Sequence, residues 1–244
     1  MKKNRLIDML SNESRDRLIS KSKMTELKMS EVICKSDSLM SHIYFPVEGF
    51  VSIIQMISST QSIEVGIIGD EGMVGGEIGI GLKKNPFGVI VQGKGEAWMI
   101  EVSDYLDVLN VDRNIRCVSN AYLGFRMRQL GLSLACGHFH GIEERLAKWI
   151  LMSEDRAKSD SFTMTQQFIS LMLGVRRVGV SSIASQFKKD GLIQYKRGML
   201  TVLNREALKE LACSCYEKEN SIYESCVDTQ KLDFGLQTLS SINS

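Results

Sequence analysis

No stretch of this chain runs to 18 apolar residues, so the sequence offers no membrane-spanning helix. The opening Met-Lys-Lys-Asn-Arg-Leu-Ile-Asp-Met-Leu lacks the apolar core and cleavage site of a secretory signal, and a cytoplasmic protein is expected. Neither sign of charge dominates. Thirty basic residues against 29 acidic ones leave a net charge of +1, which excludes a polycation. Histidine is scarce, with His42, His138 and His140 alone. A phosphate-cradling Gly-Lys-Ser/Thr motif and a Gly-x-Ser-x-Gly elbow are both missing. These gaps argue against an enzyme, and no catalytic residue is expected. The six cysteines are scattered, as reduced cytosolic thiols are.

What is present begins with one amphipathic helix, expected over residues 4–20. From about 24 to 101, short β-rich runs such as His42-Ile-Tyr-Phe, Gly49-Phe-Val-Ser-Ile-Ile-Gln-Met and Val89-Ile-Val-Gln recur about every ten residues. That spacing suggests an antiparallel sandwich or barrel. Gly72, Gly75, Gly76, Gly79 and Gly81 cluster between two of these strands, as a tight connection or a ligand loop. Helical periodicity returns after Ser103, a candidate cap. Ile115, Val118, Tyr122, Phe125, Gln129 and Leu132 alternate by three and four, the spacing of a heptad seam. The seam serves either a dimer or packing on the β domain. A separate helix follows from Gly141, and its Leu146, Trp149 and Ile150 pack.

The most informative segment is 166–185, which reads as a helix-turn-helix. Ile169, Met172 and Leu173 recur at helical spacing. Gly174 breaks the pattern where a turn needs positive φ. Val175, Val180, Ile183 and Phe187 line the inner side of a second helix. Its start, with Arg176 and Arg177, faces base edges if the motif binds DNA. Val178 and then Ser182 follow on the same helix, Ser182 as the next base-facing candidate. Thr165, Gln166 and Gln167 open the first helix, where N–H groups meet phosphate. An ordinary helical hairpin is the plainer alternative. Past it, Gly191-Leu-Ile-Gln-Tyr-Lys-Arg-Gly-Met-Leu-Thr-Val-Leu reads as a hairpin wing, with Lys196 and Arg197 at its tip. Between 161 and 218 nine basic residues face four acidic ones, a local +5 placed around the second helix. Residues 204–218 read as a last helix and the tail from about 228 as frayed.

Cys136 and His140 share a helix face at i, i+4, with His138 between them, and offer a metal or haem candidate. A helix junction with a buried Cys and His caps is the commoner use, and no metal is expected. Cys213-Ser-Cys215 is a weak redox-switch candidate.

The order of β domain, long helix and winged helix-turn-helix resembles the bacterial cyclic-AMP-receptor/FNR (Crp/Fnr) family of transcription regulators. Ile142-Glu-Glu-Arg-Leu-Ala-Lys-Trp-Ile-Leu, Leu173-Gly-Val-Arg-Arg-Val-Gly-Val-Ser and Lys189-Asp-Gly-Leu-Ile-Gln-Tyr-Lys-Arg-Gly carry the resemblance, with Val65-Gly-Ile-Ile-Gly-Asp-Glu-Gly-Met-Val-Gly in the β part. It implies an α+β fold: a β-roll of the cyclic-nucleotide-binding kind at 1–103, a dimerisation helix at 104–137, a winged helix-turn-helix at 138–220 and a tail at 221–244. It also implies a homodimer on a two-fold symmetric operator of double-stranded DNA, with RNA polymerase as a further candidate partner. A ligand-sensing adaptor that no longer binds DNA is the alternative.

Relatives that bind cyclic nucleotides place Gly-Glu in the ligand loop and an Arg ten residues after the Glu. Gly76-Glu77 is present here, but Phe87 stands at the Arg position, and no arginine lies between Arg17 and Arg113. Phosphate would lack its guanidinium partner, so cyclic-AMP binding is not expected. No other effector or cofactor can be named. Oxygen-sensing relatives carry an N-terminal cysteine cluster, which Cys34 alone cannot form.

Overall fold

The computed structural model describes residues 3–58, 61–175 and 177–227, without the side chains of Gln166 and Gln167. The single helix expected over 4–20 is two, α1 (Arg5–Asp8) and α2 (Asn12–Ser20). Each has its own cap. The Asn4 side chain accepts the Ile7 N–H, and Ser11 Oγ accepts the Ser14 N–H. A second cap in mid-segment starts a new helix because it competes with the backbone for the same donor.

Five strands follow: β1 (Ser22–Leu27), β2 (Val32–Cys34), β3 (His42–Met56), β4 (Ser62–Ile68) and, after a 3-10 helix at Gly76–Ile80, β5 (Gly88–Glu101). They form one antiparallel sheet in the order β1-β5-β3-β4, with β2 also on β5. The short runs expected at 42–45 and 49–56 are one strand, as are those near 89 and 97. Glycines make this length tolerable. At Gly49 (φ +74) a Cβ would lie 2.2 Å from the Gly93 carbonyl, and at Gly95 it would lie 2.0 Å from that of Glu48. The register of β3 against β5 shifts three times through this zone, so both strands bend instead of ending. Leu27, Val51, Ile53, Ile68, Val74, Val89 and Val91 fill the interior.

Then come α3 (Val102–Val111), α4 (Arg113–Phe139) and α5 (Ile142–Ala157). Ser103 does not cap this stretch, because the helix already begins at Val102. The cap that matters is Asp112, whose carboxylate accepts the Ile115 N–H and takes an ion pair from Arg17 at 2.7 Å. It divides the expected dimerisation helix into α3 and α4. Of the two readings of the 115–132 seam, packing within the chain is the one seen. Ile115, Val118, Tyr122 and Phe125 are buried within the chain, Phe125 edge-on to Tyr223 at 5.1 Å. Gln129 is 0% exposed and donates to Glu219 at 2.7 Å.

The C-terminal part comprises β6 (Ser161–Thr163), α6 (Gln166–Leu173), α7 (Arg177–Lys189), β7 (Ile193–Lys196), β8 (Met199–Val202), α8 (Arg205–Leu211) and α9 (Cys215–Val227). The expected hairpin is there, but it belongs to a three-stranded sheet, β6-β8-β7. The helix expected over 204–218 breaks between α8 and α9. Residues 221–227 are therefore not tail. They continue α9, which packs Ile222, Tyr223 and Val227 into the core that Phe125 shares. Residues 228–244 lie outside the described residues. Among the described residues no helix is long and apolar enough to cross a membrane.

Candidate DNA-binding face

Helix α6 begins at Thr165, whose Oγ1 accepts the Phe168 N–H at 3.1 Å. A hydroxyl can accept and donate at once, so the cap does not exclude a phosphate contact from exposed Thr165. Ile169, Met172 and Leu173 turn inward. Gly174 then closes the helix at φ +65, its N–H on the Leu171 carbonyl, while the Val175 N–H reaches Ser170. A side chain there would be strained, which is why this turn carries glycine.

Helix α7 sorts its residues by face. Val180, Ala184 and Phe187 are buried against the α5–α6 core. Arg177, Ser182, Lys188 and Lys189 are exposed, and Val178 is 80% exposed. Exposed Gln186 lies one turn beyond Ser182, where sequence reasoning had stopped. The i+4 spacing from Val178 through Ser182 was the signal. Gln186 donates to Asp190 at 2.8 and 2.9 Å, so that bond must open before Gln186 meets a base. Arg176, expected beside Arg177, lies outside the described residues, as do the side chains of Gln166 and Gln167.

The wing turns at Arg197 (φ +52) and Gly198 (φ +80). Lys196 and Arg197 are both exposed there. Its base is tied to the entry of α6, since Tyr195 Oη donates to the Met164 carbonyl at 2.5 Å. Not all nine basic residues of this region are available. Arg205 is committed to Glu154 and Asp155, and Lys209 to Glu217 at 3.2 Å. Among the described residues no ion pair engages Arg177, Lys188, Lys189, Lys196 or Arg197. Among the described residues exposed Lys218, on α9, is in no ion pair either; on the candidate face itself the free positive charge sits on α7 and the wing.

The module is docked on the β domain. A Cβ on Gly174 would lie 3.1 Å from Ile63 of β4, while within the module the Arg145 guanidinium donates to the Leu173 carbonyl at 2.6 Å. Trp149 Nε1 donates to Glu64 at 2.7 Å, and Ser52 Oγ donates to the other carboxylate oxygen at 2.5 Å. Desolvation pushes the Glu64 carboxyl up to about 7, against these two hydrogen bonds and Arg156.

The expected effector residues are placed as follows. Gly76 and Glu77 open the 3-10 helix that packs on α3 and α4. A Cβ on Gly76 would lie 2.4 Å from Met73. Phe87 packs onto the interior of the roll. Lys83 and Lys84 are exposed.

One constellation was not foreseen. Cys136 and His140, at the end of α4, meet Cys213, on the link between α8 and α9, and Cys215, the first residue of α9. The Cys136 and Cys213 sulfurs are 3.5 Å apart, and Cys215 Sγ is 3.6 Å from His140 Nδ1. His138 is exposed and stacks edge-on with Phe139 at 4.7 Å, outside this cluster.

Residues 144–211 match the Crp-like helix-turn-helix domain. Solved structures of similar architecture extend the likeness to most of the chain. A protein of Eubacterium rectale described as a crp/fnr-family transcriptional regulator is 14% identical, over 84% of this chain and 96% of its own, with a TM-score of 0.67. FixK2 of Bradyrhizobium japonicum is 17% identical over 79% of this chain and 98% of its own, also at 0.67. The c-di-GMP-responsive global regulator CLP of Xanthomonas campestris is 13% identical over 79% and 99%, at 0.64. No curated protein matches the sequence. The fold and the resemblance read from the sequence are borne out.

Proposed function

We propose that this chain is a DNA-binding transcription regulator of the Crp/Fnr type that works as a homodimer on a two-fold symmetric operator, with α7 of each protomer in the major groove. The observation that carries this reading is the division of α7 into a packed inner face and an exposed face led by Arg177. Arginine suits guanine O6 and N7, while Lys196 and Arg197 suit phosphate. Its part in transcription requires no catalysis by the chain itself. RNA polymerase is the partner through which a bound regulator of this kind would act.

The dimer helix is still α4, through its other face. Cys117, Asn120, Gly124, Met127, Gly131, Leu134 and His138 repeat at alternating intervals of three and four, opposite the buried stripe. Met127 is 74% and Leu134 78% exposed. A Cβ on Gly124 or Gly131 would meet nothing within 4 Å, which leaves room for a second helix to approach closely. Helix α4 of a second copy fits this stripe, because a two-fold axis presents the same heptads to themselves.

The roll takes no cyclic nucleotide in this reading. Phe87 supplies no countercharge for the phosphate. Sequence selection on random duplex with the purified protein tests the proposal. A palindromic consensus with half-sites about one DNA turn (~34 Å) apart is expected, unchanged by millimolar cyclic AMP. Failure to enrich any sequence would overturn it.

A further inference from the structure

We propose that Cys136, His140, Cys213 and Cys215 form a four-coordinate site for a thiolate-preferring divalent metal ion of the zinc class. All four donor atoms lie within 4.8 Å of one another. A tetrahedral zinc centre with Zn–S bonds of about 2.3 Å would set its sulfurs about 3.8 Å apart. The Cys136–Cys213 sulfur edge of 3.5 Å is close to that, the Cys215–His140 sulfur–nitrogen edge of 3.6 Å matches the roughly 3.5 Å that Zn–S and Zn–N bonds would set, and the other edges lie within 4.8 Å. Three thiols and one imidazole are the donor set that selects zinc over harder ions such as magnesium or calcium.

The fold delivers these donors from two rigid supports. Cys136 and His140 stand one turn apart on the last turn of α4, and the His140 N–H still bonds to the Cys136 carbonyl. Cys213 and Cys215 flank Ser214 where α8 ends and α9 begins. The three cysteines are buried together, with Leu132 as the partly buried hydrophobic packed against them, and His140 is half-buried. Three thiolates around a divalent ion carry one net negative charge. Lys148, itself buried and ion-paired with Glu219 at 3.6 Å, lies near enough to act electrostatically on all three sulfurs and would offset part of it. A Cys136–Cys213 disulfide is the competing use of the closest pair. It would leave Cys215 and His140 facing each other with no shared partner, whereas one ion engages all four.

Such an ion would bolt the end of α4 to the α8–α9 joint. Its removal should therefore lower the thermal midpoint of the chain. The site does not depend on the DNA-binding reading, and its readout is separate from it. Untagged full-length protein, purified under reducing conditions, should contain close to one zinc per chain. The chelated protein should take up one equivalent of Co2+, with the intense visible bands of tetrahedral cobalt and thiolate-to-metal charge transfer. Cys213→Ser should abolish the tetrahedral cobalt spectrum, and His140→Ala should shift it while keeping the thiolate bands. Cys34→Ser, on β2 of the roll and away from the cluster, should leave it unchanged. If the fully reduced, folded wild-type chain takes up no Co2+, or if Cys213→Ser gives the wild-type spectrum while folded, the proposal fails. A Cys136–Cys213 disulfide in the protein as isolated under reductant would overturn it equally.

Discussion

Helices α7 and α4 were both read from stripes of apolar residues, and the stripes turned out to mean different things. On α7 one face is apolar and the other polar. Val180 and Phe187 went inward, with Val175 and Ile183 half-buried against the same core, and Arg177 and Ser182 stayed outside, as the spacing required. On α4 two stripes on opposite faces are fit for packing. The one with the larger side chains, from Ile115 to Leu132, packs on the protein's own roll and α9. The one with Gly124, Met127, Gly131 and Leu134 is left on the surface. Periodicity finds a helix with one apolar face and orients it. With two such faces it finds the helix and leaves the partners undecided.

The sharpest way to break this comparison is to truncate one residue from each stripe of α4. Phe125→Ala removes a buried ring that touches Tyr122 and Tyr223, and should cost about 3–5 kcal/mol in urea unfolding. Leu134→Ala should change the stability of the single chain by less than about 0.5 kcal/mol. Leu134→Glu should abolish dimerisation in analytical ultracentrifugation and leave the fold intact. Equal stability losses at the two positions would show that the stripes are not distinct.

The contact between the roll and the helix-turn-helix module comes next. Glu64 is held up to about 7 by desolvation, against an ordinary 4.5, so the folded chain keeps a proton that the unfolded chain releases. Stability should therefore be greatest below about pH 4.5 for this group, fall as pH rises through 7, and stay low above it, by an amount on the order of 3 kcal/mol. Glu64→Gln should flatten that slope in unfolding curves measured between pH 5 and pH 8. An unchanged slope would remove Glu64 as its source.

On α7, Arg177→Ala should weaken the selected operator by about 1–3 kcal/mol and random duplex hardly at all. Equal losses on both would make Arg177 a phosphate contact. The smallest expected effect belongs to the wing. Lys196→Ala should weaken all duplexes alike and reduce the slope of log affinity against log salt by about one. If the slope does not move, the wing does not touch the backbone.

Much of the fold was legible because local rules and burial agreed. Gly174 and the turn at Arg197–Gly198 were visible as turn chemistry, and the helix-turn-helix fell where its spacing put it. What was missed lay where strand ends are hidden or partners are remote. The sequence reads as separate short strands near 45 and 50, yet the structure carries one strand through the bend at Gly49. The reason is the close approach of Gly93 and Gly95, more than 40 residues away. Caps at Ser11 and Asp112 split helices that periodicity joined, since a side-chain oxygen offsets the loss of only a few backbone bonds. Of the candidate site, Arg177, Ser182, Lys196 and Arg197 were readable as outward positions. Gln186 was readable too, though its bond to Asp190 was not.

The sequence by itself determined the order of elements, the hand-off from period two to period 3.6, and the two faces of α7. These depend on neighbours within one or two turns, and chain geometry fixes such neighbours. Only the tertiary structure decided which face of α4 the roll would take. It alone attached α9 to α4, and it alone brought Cys136 and His140 to Cys213 and Cys215 across 77 residues of chain. Spacing along the chain carries no information about contacts of that separation. They are set by which surfaces can be buried together once every helix and strand is in place.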